Sequence, residues 1–347
     1  MSQPSVGGAS IGQWSAAGMI DGRRRTGIVV IGALVVLIAL PWIAVASGHA
    51  ALTLLVTRMM IYGLAAVSLD LILGIGGMIS FGHAAYFGLG AYVVGILAYH
   101  SGAGEPMFGV LPGSNLVVIA WPAALIISAL VALVLGALCL RTEGVSFIMI
   151  TLAFAQVLYF FFVSLKFYGG DDGLILRGRN VVSEYDLRNP ILFYYICFGL
   201  LAAFVATCRR LLDSRFGQIV QGACQNERRM AAIGVSTYRY KLACFTIAGG
   251  AAGLAGALMA NYARFVSPDL MHWTESGQLM VMVILGGVGT LFGPILGAIL
   301  VVGLETTLTS LTEHWKFILG PVLVLAVLFT RGGLWRLLTG QSRAFNQ

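Results

Sequence analysis

The chain has 347 residues, of which 59% are hydrophobic and 10% are charged, and its mean hydropathy is +0.90. A soluble globular domain carries about 25% charged residues, so this composition excludes an ordinary soluble domain. The net charge is +7, but the basic residues do not form one patch, which argues against nucleic-acid binding. They cluster instead at the ends of apolar runs, as membrane topology requires.

A series of apolar stretches runs along the chain, and each is typical of a helix that lies in a bilayer. The predicted spans cover residues 27–47, 52–73, 78–99, 116–139, 145–166, 190–208, 241–262, a glycine-interrupted stretch at 276–304, and 316–331. The sequence therefore predicts an all-α, polytopic transmembrane helical bundle with about eight full spans and a glycine-broken hairpin or re-entrant element, which gives about eight to ten crossings.

The first apolar stretch permits two interpretations. Arg23–Arg25 precede it, and Ala44-Val45-Ala46 resembles the cleavage site of a signal peptide. The stretch is about 20 residues long, whereas a signal core has about 7–15, so we expect an uncleaved first helix.

Positively charged residues indicate the orientation of the bundle. If Arg23–Arg25 are cytoplasmic, most of the 21 Lys and Arg residues fall on the cytoplasmic side, as expected for short loops. This orientation predicts a cytoplasmic tail at 1–26, a transmembrane domain at 27–331, a cytoplasmic loop at 209–240 and a cytoplasmic tail at 332–347. Residues 167–189 then form the longest external loop.

A glycine-rich stretch, GIGGMISFGHAAYFGLGAY at 74–92, opens the third span. An ionisable group inside a membrane segment is a functional candidate, so His83 is one, and Ser80 and Gly82 lie beside it in the same stretch. Alternatively, His83 forms a hydrogen bond with a free backbone carbonyl beside the glycine break. Asp70, just before this stretch, is expected near headgroup depth and solvated.

The external loop contains GGDDGL at 169–174. Asp171 and Asp172 can bind a cation or meet basic residues of a partner protein. The alternative is a tight, soluble turn, which glycine and aspartate both favour.

The loop before the seventh span is unusually charged, with seven basic and two acidic residues between Arg209 and Lys241. Apolar residues in this loop recur at helical spacing, which predicts a short amphipathic helix with one apolar face formed by Ile219, Ala223, Met230 and Ile233. Gly234 stands where a C-terminal helix cap is expected. Such a helix either rests on anionic lipid or lies in a groove of another protein.

Glycines also recur at intervals of four residues in two later segments. Gly249 and Gly253 lie in the seventh span, and Gly289, Gly293 and Gly297 surround Pro294. This spacing lets helix backbones touch in a bilayer. It also permits the broken helices that line substrate sites in transporters.

Several motifs are absent from the sequence. None of the three lysines follows a glycine, so the chain lacks a GxxxxGK[ST] phosphate-binding loop and predicts no ATP hydrolysis by that route. The five cysteines have no CxxC spacing, and no HExxH or GxSxG motif occurs. We therefore predict no catalytic residues, no metal site and no cofactor in this chain.

Three long segments, at 63–92, 217–258 and 282–305, resemble the LivM-type permease of branched-chain amino acid ABC importers. The resemblance runs in register from about residue 50 to residue 330. It implies a subunit of the bacterial inner membrane that pairs with a second homologous permease, two ABC ATPase subunits and an external solute-binding protein. ATP and Mg would then be bound by the partner subunits.

The resemblance also implies roles for individual residues. The charged loop is similar to the coupling helix that docks on the ATPase, at positions Gln225, Asn226, Glu227, Arg228, Ala232 and Gly234. Candidates for the translocation path or gate are Ser80, Gly82, His83, Gly286, Gly287, Gly289, Gly293 and Pro294. Candidates for docking of the binding protein are Asp171 and Asp172.

The substrate is left open at this stage. Asp70 stands where the family commonly has asparagine, and urea and short-amide importers share the same scaffold. The expected function is therefore import of branched-chain or other hydrophobic amino acids. The alternatives are a permease for urea, short amides or another small polar solute, and a passive solute channel.

Overall fold

The computed structural model describes residues 32, 34–44, 48, 50–103, 113–176, 178–182, 185–187, 189–312, 314–329 and 333–339. The predicted tail at 1–26, with Arg23–Arg25, lies outside the described residues, as does the end of the chain from residue 340.

Helices dominate the described residues. They are α1 (Leu34–Ala44), α2 (Ala50–Asp70), α3 (His83–Ala103), α4 (Val117–Cys139), α5 (Val145–Ser164), α6 (Pro190–Asp213), α7 (Arg215–Gln225), α8 (Glu227–Ala232), α9 (Thr237–Ala263), α10 (Trp273–Gly286), α11 (Gly293–Leu311), α12 (Trp315–Phe329) and α13 (Leu334–Thr339). Strands are limited to two-residue pairs: β1 (Leu174–Ile175), β2 (Val181–Val182), β3 (Tyr185–Asp186) and β4 (Phe265–Val266).

Six helices among the described residues are long and apolar enough to cross a membrane. They are α2 with its π-helical extension (Ala51–Ile75), α4, α5, α6, α9 and α11. The prediction of an all-α, polytopic helical bundle is therefore confirmed. Helix α3 begins at His83, later than the predicted residue 78, because residues 76–82 form no regular helix.

Helix α9 lies at the centre of the bundle and packs against α2, α3 and α4. Small residues make this possible, since a methyl group on Gly90 would lie 1.9 Å from the carbonyl oxygen of Gly253. A methyl group on Gly256 would likewise lie 1.7 Å from the carbonyl oxygen of Phe87. The glycines at 249 and 253 lie within one continuous helix, so they serve close packing and not a helix break.

The outer helices present apolar side chains outward. Val118 and Leu130 of α4 and Phe160 and Val157 of α5 are more than half exposed. In water such faces would aggregate, whereas in a bilayer they contact acyl chains. The pattern agrees with a bundle that is surrounded by lipid.

The two ends of the bundle differ in character. One end, called here the basic end, carries α7, which contacts both α8 and the π-helical turn Leu71–Ile75. The opposite end carries the loop after α5, where Leu174 of β1 pairs with Val266 of β4. Buried Arg179 stabilises that loop, because its Nε donates to the carbonyl oxygen of Asn261 at 3.1 Å.

Candidate coupling and translocation sites

The charged segment between α6 and α9 forms two helices, α7 and α8, where the sequence analysis predicted one. Asn226 separates them with an extended backbone, at φ −158° and ψ 98°. Its side-chain oxygen accepts a hydrogen bond from the backbone N–H of Arg229 at 3.0 Å. Asparagine is a strong N-cap residue, so it ends α7 and begins α8.

The break also corrects the predicted apolar face. The residues of α7 that are buried against the bundle are Gly217, Val220 and Ala223. Ile233, placed on the same face by its spacing, is 68% exposed. A single helical period cannot be carried across Asn226, because the extended residue rotates α8 relative to α7.

Glu227 anchors α8 to the start of α9. Its carboxylate forms a salt bridge with Lys241 and accepts a hydrogen bond from Thr237 Oγ1 at 2.6 Å. Partial burial alone would raise the pKa of this carboxyl, but the hydrogen bonds from Lys241 and Thr237 and the lysine charge lower the pKa below its ordinary value. The Glu227 side chain is thus directed toward α9.

The remaining predicted coupling residues lie at the surface. Gln225, Asn226, Arg228, Ala232 and Gly234 are all exposed. The predicted cap at Gly234 is present, since the residue has φ +82° and its N–H donates to the carbonyl oxygen of Ala231 at 3.0 Å. These residues form a polar surface at the basic end of the bundle.

Helix α7 contacts the glycine-rich stretch that precedes α3. A methyl group on Gly77 would lie 2.5 Å from Cys224 Sγ, so the two segments touch directly. Gly77 also has φ +67°, a conformation that favours glycine. Helix α7 is therefore in direct contact with residues 76–82.

The glycine-broken hairpin predicted at 276–304 is present. Helices α10 and α11 pack against each other and are joined by residues 287–292. A methyl group on Gly286 would lie 1.9 Å from the carbonyl oxygen of Gly293, and Pro294 occupies the first turn of α11. Gly287 and Gly289 have φ of +123° and +75°, so the connection depends on glycine.

Asp70 lies inside the protein, and the expectation that it is solvated is wrong. The residue is 1% exposed, and its Oδ1 accepts a hydrogen bond from the backbone N–H of Gly289 at 2.8 Å. The α2 helix continues past it as the π-helical turn, so Asp70 is covered by the connection between α10 and α11. The carboxylate thus joins two segments that the sequence separates by 219 residues.

A buried polar cluster lies where residues 76–82 meet α3. Ser68 Oγ donates to the carbonyl oxygen of Ala65, so its oxygen accepts from the Nε2–H of His83 at 2.8 Å. Ser276 Oγ of α10 accepts from the backbone N–H of Ala84 at 2.9 Å. His83 is fully buried, and its Nδ1 has no hydrogen-bond partner among the described residues.

The other candidates near this cluster have defined positions. Ser80 is fully buried, and its Oγ accepts from the backbone N–H of Gly82 at 3.3 Å. Gly82 packs against α5, since a methyl group there would lie 2.6 Å from the carbonyl oxygen of Thr151. The structure thus brings Ser80, Gly82 and His83 together, and it places Gly286 to Pro294 at the basic end.

Asp171 and Asp172 lie at the opposite end. They belong to the short 3-10 helix Gly170–Asp172, and both side chains are exposed. Within the part of the chain that the structure describes, no group of three or more His, Cys, Asp or Glu residues is arranged to hold a metal ion.

Span-length apolar helices, a glycine-broken hairpin and a polar helix pair between two spans are the features of a polytopic membrane permease. Residues 51–327 match the family model described as the permease component of the branched-chain amino acid transport system. The chain belongs to this family. No solved structure matches it.

Curated relatives agree with this assignment. The high-affinity branched-chain amino acid transport system permease protein LivM of Salmonella typhimurium is 27% identical over 91% of this chain and 76% of its own length. LivM of Escherichia coli is 26% identical over the same shares. The permease protein LivH of Escherichia coli is 24% identical over 77% of this chain and 88% of its own length.

Sequence reasoning missed several residues of these sites. Ser68 and Ser276 have no distinctive spacing, and only the fold brings them to His83 and α3. Lys241 was predicted as the start of a span and Thr237 as part of the cytoplasmic loop before it, whereas both anchor α8. Asp70 carried a usable signal, because an ionisable residue followed directly by an apolar run is a functional candidate.

Proposed function

We propose that this chain is the transmembrane permease subunit of an ABC importer for branched-chain or other hydrophobic amino acids, powered by separate ATPase subunits. The observation that carries the proposal is the α7–α8 pair, which exposes polar residues while both of its ends are attached to span-length helices. Membership of the permease family supports it. Such an importer moves solute without making or breaking covalent bonds in this chain, so the chain is not an enzyme.

The α7–α8 pair has the mechanical properties of a lever. Only Ser214 separates α6 from α7, and Glu227 ties α8 to α9 through Lys241 and Thr237. A force on the exposed residues Gln225, Asn226, Arg228, Ala232 and Gly234 is therefore passed to two spans. In this proposal those residues, together with the backbone around Glu227, form the surface on which the ATPase docks.

The proposed assembly requires a defined orientation. The basic end, with residues 209–240, faces the cytoplasm of a bacterial inner membrane, as the distribution of Lys and Arg supports, and the same orientation makes the tails at 1–26 and 332–347 cytoplasmic. A second homologous permease subunit and two ATPase subunits complete the membrane complex, with ATP and Mg on the ATPases. An external solute-binding protein docks at the opposite end, where Asp171 and Asp172 are exposed.

The proposed path runs beside the two interrupted segments, residues 74–82 and 286–294. Both contain glycine and backbone that forms no regular helix, at residues 76–82 and 287–292, which membrane proteins tolerate where it is buried in protein or lines a cavity. Ser80 and Gly82 lie in the first segment and His83 directly follows it, and Gly286, Gly287, Gly289, Gly293 and Pro294 belong to the second. Alternating packings of these segments would open the path toward each side in turn.

A second substrate class has one observation in its favour. The buried cluster of Ser68, His83 and Ser276 presents hydroxyl and imidazole groups, and His83 Nδ1 is an acceptor without a partner among the described residues. Urea and short amides carry N–H donors that match such an acceptor. A permease for small amides is therefore the alternative.

Reconstitution tests the proposal. The chain is placed in proteoliposomes with the second permease, the two ATPases and the binding protein of the proposed assembly, and uptake of labelled leucine and urea is measured with and without ATP. We expect leucine uptake that requires ATP and every partner. Uptake by the chain alone without ATP would instead establish a passive channel, and uptake of urea alone would establish the amide permease.

A further inference from the structure

We propose that Asp70 is a positioning residue for transport: its carboxylate is a latch that holds the α10–α11 connection, and α7 moves this latch. The inference rests on the proposed function and deepens it, because it names the contact through which motion of the coupling segment reaches the broken hairpin. Three sets of contacts carry it.

The first is the latch itself. Asp70 Oδ1 accepts the hydrogen bond from Gly289 N–H at 2.8 Å, and the side chain is 1% exposed. A hydrogen bond made away from water is electrostatically stronger than the same bond in water. The bond therefore constrains where the connection between α10 and α11 lies.

The second set shows that the backbone is shaped around this bond. A methyl group on Gly74 would lie 2.2 Å from Asp70 Oδ1 and 2.3 Å from the backbone nitrogen of Gly289. Glycine at residue 74 is what allows the connection to reach the carboxylate. Gly74 belongs to the π-helical turn Leu71–Ile75, and such turns are frequent at functional sites.

The third set links the latch to the coupling segment. The π-helical turn contacts α7, and immediately after it Gly77 touches Cys224 near the end of α7. On the other side, Gly333 touches Gly287, so the connection is also held by the segment before α13. A displacement of α7 therefore changes the distance between Asp70 and Gly289 before it acts on α10 or α11.

The second carboxylate oxygen is not engaged by the latch. Asp70 Oδ2 is buried and has no hydrogen-bond partner among the described residues. A buried polar atom without a partner is costly, and such groups in native proteins call for an explanation. The bond from the Gly289 N–H is therefore the contact by which the described residues hold this side chain.

The test uses the complete importer in proteoliposomes and measures ATP hydrolysed per substrate transported. Asp70→Leu removes the acceptor, Asp70→Asn keeps one carbonyl oxygen, and Gly74→Ala pushes the connection away from an intact carboxylate. The controls are Asp213→Leu, at an exposed acidic residue of the same end, and Gly199→Ala, at a helical glycine with open space around it. All rates are normalised to the amount of assembled complex.

We expect Asp70→Leu and Gly74→Ala to keep ATP hydrolysis while transport falls about tenfold or more, which is the range of a typical coupling energy. Asp70→Asn should keep most transport, and both controls should match the parent chain. This pattern is the signature of a transmitting contact, because a purely structural contact would reduce assembly and leave the ratio unchanged.

Three results would overturn the latch: full transport by Asp70→Leu, equal loss in Asp70→Asn and Asp70→Leu, or a defect in Asp70→Leu and Gly74→Ala that disappears on normalisation. Failure of the latch can be told from failure of the proposed function by the parent complex. If the parent chain transports with its partners and the variants behave like it, only the latch is wrong. If the parent complex does not transport, the proposed function is wrong as well.

Discussion

Glu227 and Lys241 form a salt bridge that ties α8 to the first turns of α9 across 14 residues of chain. The same carboxylate accepts a hydrogen bond from Thr237, so one side chain fixes the end of the coupling segment to the central helix of the bundle. The coupling segment is thus attached at both ends, which a lever requires.

The first prediction concerns this anchor. Glu227→Arg places a like charge beside Lys241 and should abolish transport and the stimulation of ATP hydrolysis, while the protein still inserts and assembles. Glu227→Gln keeps a side-chain oxygen for Thr237 and should lose less. The measurement is ATP-driven uptake together with stimulated ATP hydrolysis in proteoliposomes, and full transport by Glu227→Arg would contradict the role of the anchor.

The anchor should also depend on pH. Because the pKa of Glu227 is lower in the folded protein than its ordinary value of 4.5, the ion pair stabilises the fold above that value. The stabilisation is lost as the pH falls through the lowered pKa, when the carboxylate takes up a proton. Loss of the ion pair should loosen the coupling segment, so thiol labelling of the exposed Cys224 should accelerate at acidic pH, after correction for the slower reaction of any thiol at that pH. Glu227→Gln should remove that acceleration.

A third prediction uses the distribution of cysteines. Cys224 is exposed beside the coupling residues, whereas Cys139, Cys197, Cys208 and Cys244 are buried. A membrane-impermeant maleimide should label the native chain at Cys224, and bound ATPase subunits should protect it. Labelling is done on inside-out vesicles and on intact spheroplasts. Rapid labelling of spheroplasts would place the basic end outside and contradict the proposed orientation.

Gly234→Pro should uncouple the importer. Gly234 has φ +82°, whereas proline is held near −65°, and proline also lacks the N–H that bonds to the carbonyl oxygen of Ala231. Gly234→Asn is the matched variant, because asparagine tolerates the left-handed region. We expect transport to fail only in the proline variant, at equal protein level. Comparable losses in both variants would assign the effect to the side chain and not to the backbone.

Close packing within the hairpin gives the fifth prediction. A methyl group on Gly297 would lie 1.8 Å from the carbonyl oxygen of Met282, so Gly297→Ala must separate α10 from α11. Overpacking of this kind costs about 1–3 kcal/mol. Gly277→Ala, in the same hairpin but with open space around it, is the control. Thermal unfolding in detergent should show a lower midpoint for Gly297→Ala alone.

Much of the fold followed from hydrophobicity, because a bilayer requires apolar helices of defined length. The glycine-broken hairpin was also predictable, since Gly286 to Pro294 interrupt an apolar run with several helix breakers at once. The break at Asn226 was not predicted, although asparagine at that position is a recognisable N-cap. Helical spacing was instead extended across it, which placed Ile233 on the wrong face.

Contacts between residues far apart in the chain could not be predicted from the sequence. The burial of Asp70 depends on a connection 219 residues away, and although the apolar run beside Asp70 marks it as a candidate, the sequence does not indicate which segment covers it. The hydrogen bond from Ala84 N–H to Ser276 likewise arises only when α10 packs against α3, and that from Asn180 N–H to Asn261 only when the loop after α5 packs against α9. Polar residues in a membrane bundle find partners through the fold, and their spacing along the chain carries little of that information.

The contact of Gly90 with Gly253 and of Gly256 with Phe87 places one main chain directly on another. A side chain can change its rotamer when helices move, but two backbones in contact cannot make room in this way. Helices α3 and α9 should therefore move together as one rigid body during any rearrangement of the bundle. The backbone must then change conformation elsewhere, at the glycine-containing connections that adjoin this rigid body.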